Sequence, residues 1–365
     1  MEHHNVQASQ LTPKREIYAE ILRIVAAFTV VFQHTVTSVW YTVPVDSDDF
    51  AALNFLNSLS RFGVGVFIMI SGAFMLSPKY PHPPRKILAH NIPRTLIPLV
   101  FWVLIYGTVG ELLSGGDLSD VLSTPLLLFT KPASHLWFLY TIVGLYILTP
   151  PLRVFTQNAS QKMVLYVIGI FFAFGLMLPT ASHLLAKLAG FTLYKNIGIQ
   201  GITSFAGFYL TGFYLAHFGI PQKARKILYG AALFSWIVAF AASTYFSELK
   251  NTPNEYFFGN FRPTTYLMAT GVFCFFRNRF GSLAAADLQS PPKIKAANIA
   301  LRVSGCMLGV YLIHPLFIKV FYGLKLTILE PHPIITAPVA AIGIFAVSLM
   351  TVYLLRQVCR IKKIL

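Results

Sequence analysis

Residues 17–40 read IYAEILRIVAAFTVVFQHTVTSVW, an apolar run that nevertheless carries Arg23 and His34 in its interior. A spanning helix needs about 20 mostly apolar residues, and a charged side chain at mid-bilayer costs at least about 2.5 kcal/mol. Ionisable groups kept in such a run are therefore candidate functional residues. Eleven residues at about 100° each end about 20° past three full turns, so both side chains lie on one helical face, about 16 Å apart along the axis. One helix thus holds a cation near one membrane surface and a titratable base toward the other.

The rest of the chain repeats the apolar theme. Of its 365 residues, 55% are apolar, 15% aromatic and only 12% charged, with a mean hydropathy of +0.63. This composition excludes a set of soluble domains and predicts an all-α, polytopic membrane helix bundle. About ten transmembrane helices are expected, at 17–40, 58–77, 93–112, 135–152, 163–180, 197–217, 226–246, 261–278, 298–321 and 334–356. The domain reading is a cytoplasmic tail at 1–16, a transmembrane domain at 17–358 and a second cytoplasmic tail at 359–365. The stretch at 120–130 is too short to cross and reads as surface or re-entrant. Residues 279–297 read as a linker. No cleavable signal is expected, because no small-residue cleavage site follows the first apolar run.

Orientation follows from the basic residues, since Lys- and Arg-rich short loops stay cytoplasmic. With the N-terminus inside, 20 of the 29 Lys and Arg residues fall on cytoplasmic segments and 7 on the opposite side, leaving only Arg23 and Arg61 within spans. Both termini are therefore expected in the cytoplasm. The net charge of +16 is accounted for by basic loops facing anionic headgroups, so no nucleic-acid partner is called for. Cys274, Cys306 and Cys359 lack metal-site spacing and read as small buried residues, with no metal site or disulfide expected.

Depth along each helix turns this topology into a map of candidate residues. His34 lies about 17 residues into an inward-to-outward span, and His314, in GVYLIHP, lies at nearly the same depth in another. Tyr311 shares a helical face with His314 and with Ser304. His135, in HLWFLY, and Arg61 open two further spans from the outer side. The bland alternatives stand beside these. Arg23 has Glu20 three residues back as an ion-pair partner, and His34 can be a neutral imidazole bonded to Thr35, Thr37 or a neighbouring helix. Arg61, His135 and Arg262 can snorkel to headgroups. On the inner side Arg85, Lys86, His90 and Arg94 precede the third span. They read as plain positive-inside charge or, together with a helix N-terminus, as a site for a phosphorylated cytosolic cofactor.

Taken in order, several of these pieces resemble the acyltransferase family 3 of integral membrane O-acyltransferases. They are Arg23 to His34 as an Arg-x10-His pattern, RFGVGVFIMISGAFML at 61–76, RTLIP at 94–98, HLWFLY at 135–140 and GVYLIHP at 309–315. The resemblance runs over nearly the whole chain and is nearest to the bacterial branch that acetylates cell-surface glycans, such as the enterobacterial common antigen type. It implies a ten-helix core, acetyl-CoA as donor, and essential roles for Arg23 and His34. The family often has Arg-x-x-Arg at the start of the third helix, where this chain has Asn91 three before Arg94. The phosphate role would then fall to Arg94 with Arg85, Lys86 or His90.

The expected activity is transfer of acetyl from cytosolic acetyl-CoA to a hydroxyl of a cell-surface or lipid-linked glycan, in a multi-pass protein of a bacterial inner membrane. His34 would be the general base, with a relay through acetyl-imidazole as a variant. Arg23 would orient the donor arm or a developing oxyanion. Arg61, His135, Tyr311 and His314 would line the acceptor side. Expected partners are acetyl-CoA, the glycan or lipid-linked oligosaccharide and the bilayer, with a homodimer left open. The competing classes are a transporter or flippase of a lipid-linked sugar, in which the buried Arg and His relay substrate or protons, and a scaffold subunit of an envelope complex.

Overall fold

A computed structural model describes residues 16–113, 135–190, 200–281 and 291–358. Regular structure among them is helical. The chain runs through α1 (Ile17–Trp40), α2 (Asp48–Leu59), α3 (Gly63–Met75), α4 (Ile92–Leu113) and α5 (Trp137–Asn158). It continues through α6 (Gln161–Phe172), α7 (Leu178–Ala189), α8 (Gln200–His217), α9 (Gln222–Lys250) and α10 (Pro263–Phe280). The last three helices are α11 (Pro291–Ser304), α12 (Met307–Gly323) and α13 (Pro333–Leu355). Short π-helical turns at Ile87–Asn91 and Ala173–Met177 lead into α4 and join α6 to α7.

By length and composition, seven helical stretches among the described residues are apolar enough to cross a membrane, or up to eight if the bent pair α11 and α12 is one span. Each of the ten expected segments contains helix among its described residues, yet α8 and α10 are not among those seven. Both are 18 residues long, enough to cross, but their polar residues, Arg277 and Arg279 in the last turn of α10 among them, lower their hydropathy. The outward faces remain apolar: Ile227, Leu233, Phe234 and Ile237 on α9 and Val339, Ile342 and Val347 on α13 are exposed. Helices that present apolar side chains outward over their length are those of a multi-pass membrane bundle.

Three sequence expectations change. The segment at 58–77 is not one helix, because the chain breaks at Ser60–Phe62 between α2 and α3. α2 starts where the Ser47 hydroxyl accepts from Phe50 N at 3.1 Å and Asp48 and Asp49 occupy the first turn, all favourable at a helix N-terminus. The segment at 298–321 bends by 58° between α11 and α12, where the Arg356 guanidinium caps the Gly305 carbonyl. The linker expected at 279–297 is in part helical, since α11 begins at Pro291. The 120–130 stretch, Cys359 and both expected tails lie outside the described residues, apart from Glu16. Cys274 and Cys306 are buried free thiols.

α1 is the axis of the bundle, packed against α2, α3, α10, α11, α12 and α13. α3 and α8 approach more closely than side chains allow. A Cβ on Gly72 would run into the Tyr209 carbonyl, and one on Gly212 into the Met69 carbonyl. Small residues at such a crossing let two membrane helices pack backbone to backbone. The core face of α1, with Ala27, Val30 and Val31, joins Trp102, Val103 and Tyr106 of α4, Leu139 of α5 and Met307 and Val310 of α12. That cluster frames the site.

Candidate active site

Four elements converge on one group of rings. His34 comes from α1, His314 and Tyr311 from α12, Tyr106 from α4, and His135 from the turn that leads into α5. His34 Nδ1 lies 2.7 Å from His314 Nε2, with the two rings stacked at 4.9 Å. His135 stands edge-on to both, at 6.4 Å from His34 and 5.8 Å from His314. The Tyr311 hydroxyl donates to the His135 carbonyl, and the Tyr106 ring packs against the His135 ring at 4.7 Å. Tyr106 Oη donates to the Leu312 carbonyl at 2.7 Å, tying α4 to α12. His314 is fully buried, His135 nearly so, and His34 is partly exposed.

Hydrogen bonding orients the His34 ring. His314 Nδ1 is 3.2 Å from the Val310 carbonyl, and a carbonyl only accepts, so that nitrogen carries the proton. A neutral imidazole has one donor and one acceptor nitrogen, which makes His314 Nε2 the acceptor. His34 must then donate through Nδ1. Its own lone pair is left on Nε2, the arrangement a general base requires. No carboxylate takes part in this chain of bonds; the backbone of α12 supplies the terminal acceptor. His135 Nε2 is buried without a hydrogen-bond partner.

A cavity of about 930 Å³ leads toward these rings from the end of the bundle at which α1 starts. Glu16, Tyr80 and Arg94 line it beside the start of α1, Glu20 and Arg23 line it within the first two turns of that helix, and Phe67, Phe138 and Tyr311, whose rings pack in series, line it next to the histidines. Tyr311 is therefore shared: its ring lies 5.8 Å from His135 and 6.1 Å from His314. The cavity lining stops at this tyrosine and does not include His34. Aromatic and aliphatic walls interrupted by a few hydroxyls, such as Ser71, Thr95 and Ser304, suit a long thin ligand with an apolar stem.

Arg23 sits in that cavity as the ion pair its sequence neighbour foretold. Its Nη1 is 2.7 Å from Glu20 Oε1, and its guanidinium stands 5.4 Å from the Phe74 ring centroid. The second Glu20 oxygen accepts from the Ser304 hydroxyl. Glu20 is nearly buried and Arg23 about a third exposed, so the carboxylate is the group that needs the pair, and the guanidinium keeps donors toward the cavity.

The remaining sequence candidates divide. Arg94 lines the cavity, whereas Arg85, Lys86 and His90 are exposed and do not. Arg61 is buried but turned to other work: Nε donates to Asn57 Oδ1 at 2.9 Å, Nη2 pairs with Glu255 at 3.3 Å, and the guanidinium covers Phe258 at 4.5 Å. It makes no hydrogen bond to the ring cluster, yet its charge lies near enough to act on His34. Sequence reasoning missed Tyr106 and the cavity-lining residues Glu16 and Tyr80. Tyr106 carries no mark in an aromatic-rich span, and only contact across the bundle identifies it.

The family described as an acyltransferase domain, family 3, matches residues 16–355. Neither a curated protein nor a solved structure matches the chain. The matched region takes in every helix described above, the histidine cluster and the cavity, and the chain belongs to this acyltransferase family, as a membrane acyltransferase.

Proposed function

We propose that the protein transfers an acetyl group from cytosolic acetyl-CoA to a hydroxyl of a cell-surface or lipid-linked glycan, with His34 Nε2 as the general base. In this reading ten segments span a bacterial inner membrane and both termini face the cytoplasm. The observation that carries it is the meeting of two features at Tyr311: a cavity lined by Arg23 and Arg94, and a bonded histidine pair that leaves one imidazole lone pair free. The cavity volume of about 930 Å³ falls in the range of sites for small organic ligands, so the residues present fit a pantetheine-like arm with its phosphates outside.

The chemistry balances on this chain's own groups. The acceptor O–H gives its proton to His34 Nε2 as its oxygen forms a bond to the thioester carbonyl carbon. The C–S bond then breaks, and the imidazolium returns the proton to the departing thiolate. His314 holds the His34 ring in the required tautomer and spreads the charge that appears on it. Arg23, beside Glu20, steadies the donor arm in the cavity. His135 and Tyr311 shape the approach of the acceptor hydroxyl.

Transfer of labelled acetyl from acetyl-CoA by the purified protein, with a glycan fraction of the envelope as acceptor, tests this directly. The wild type is expected to transfer label, and His34→Ala to lose about 10² to 10⁴-fold of the rate while keeping its melting temperature, since His34 is partly exposed. Equal rates in the two proteins would remove His34 from the role of base.

A further inference from the structure

On the face where α8 ends and α9 begins, Arg225 and Arg277 line a cavity of about 420 Å³ together with His217, Asn278 and residues 218–220 of the turn between the two helices. None of its lining residues is acidic. Among the described residues neither guanidinium is in an ion pair. Arg277 Nη2 donates to the Ala216 carbonyl at 3.3 Å, its guanidinium lies 5.2 Å from the Tyr18 ring centroid, and its Nε is buried without a partner. Two guanidiniums sharing one concave site repel each other and leave forked donors unspent, and an anion that accepts several hydrogen bonds relieves both costs.

Arg277 also lines a smaller cavity of about 300 Å³ with Glu16, Phe74 and Tyr80, and those three residues line the large cavity as well. A path along one face thus runs from Arg225 past Arg277 and into the chamber that holds Arg23. Lys79 on this path is committed to Glu16 at 2.8 Å, which leaves the two arginines as the cationic centre. Tyr18 is sixteen residues before His34, a rise of about 24 Å, so a ligand spanning both regions must be long.

From this geometry we infer that Arg277 and Arg225 form a phosphate-binding site, joined to the large cavity, that holds the nucleotide phosphates of the acyl donor; a phospholipid headgroup is the other source of the same chemistry. The assignment to the donor rests on the acetyl-CoA reading above; the site itself does not. Phosphate recognition accordingly moves from Arg85, Lys86 and His90, which stand outside the cavity, to residues on α9 and α10.

Adenosine 3′,5′-bisphosphate, which carries phosphates but no acyl arm, is the probe, titrated into the purified full-length protein. Its Kd is expected to rise about tenfold in Arg277→Gln and in Arg225→Gln, with KM for acetyl-CoA rising in parallel and transfer from S-acetylpantetheine unchanged. Arg225→Gln keeps the test valid if loss of the Ala216 and Tyr18 contacts unfolds the other variant. An unchanged bisphosphate Kd and acetyl-CoA KM in a folded, active variant would overturn the inference alone. If wild-type protein transfers nothing and ignores the bisphosphate, but phosphatidylglycerol nanodiscs stabilise it over phosphatidylcholine ones and both variants lose that effect, the phosphate site stands and its donor assignment falls. A wild type that responds to neither probe overturns the site.

Discussion

The two ends of α1 handle polar groups in opposite ways. At Arg23 the charge is met by a carboxylate, and Glu20 in turn is satisfied by Ser304, so the group is paired within one turn of its own helix and tied to α11. At His34 the ring is bonded to another ring across the bundle, and the series ends on a backbone carbonyl. A local ion pair stabilises a helix end whatever the rest of the chain does. A histidine pair assembled from α1 and α12 is made only by the folded bundle, and it leaves an imidazole nitrogen without a proton. The first arrangement places a cation; the second prepares a base.

Breaking the histidine end should cost activity first. His314→Phe keeps a ring in the stack but removes the acceptor that fixes the His34 tautomer, so transfer is expected to fall about a hundredfold with little change in melting temperature. A rate within threefold of wild type would reduce the stack to packing. Breaking the arginine end should cost stability first. Arg23→Met leaves the nearly buried Glu20 carboxylate without its cation, a loss of about 3 kcal/mol readable as a lowered melting temperature in detergent. The double variant Arg23→Met/Glu20→Gln is expected to recover most of that stability without recovering transfer. Recovery of both would make Arg23 a purely structural residue. The smallest effect belongs to Lys79. It is largely exposed and pairs with Glu16, so Lys79→Ala should change stability by less than about 1 kcal/mol, and the effect should shrink further in high salt.

Much of this contrast was legible in the sequence, and the reason is the fixed rise of a helix. Counting residues from the inner surface put His34 and His314 at matching depth, and the structure joins them at 2.7 Å. The same counting put Glu20 under Arg23. What a helical count does not carry is azimuth and long-range pairing. Arg61 opens a span from the same side as the histidines and its charge does act on His34, but its hydrogen bonds go to Asn57 and Glu255 and its guanidinium covers Phe258, partners that a helical count does not name. The break at Ser60–Phe62 was hidden because apolar residues continue on both sides of it. Arg277 was absorbed into the general excess of basic residues on the inner side, since nothing in the local pattern separates a headgroup anchor from a guanidinium set into a cavity.

A structure of the protein bound to a non-hydrolysable acetyl-CoA analogue tests the central claim most directly. The account expects the analogue's arm to run through the cavity past Arg23, with the carbonyl carbon and a space for the acceptor oxygen within hydrogen-bond reach, about 3 to 4 Å, of His34 Nε2. An analogue bound with its carbonyl on the far side of Tyr311, and the His34–His314 bond intact and unreached, would contradict it.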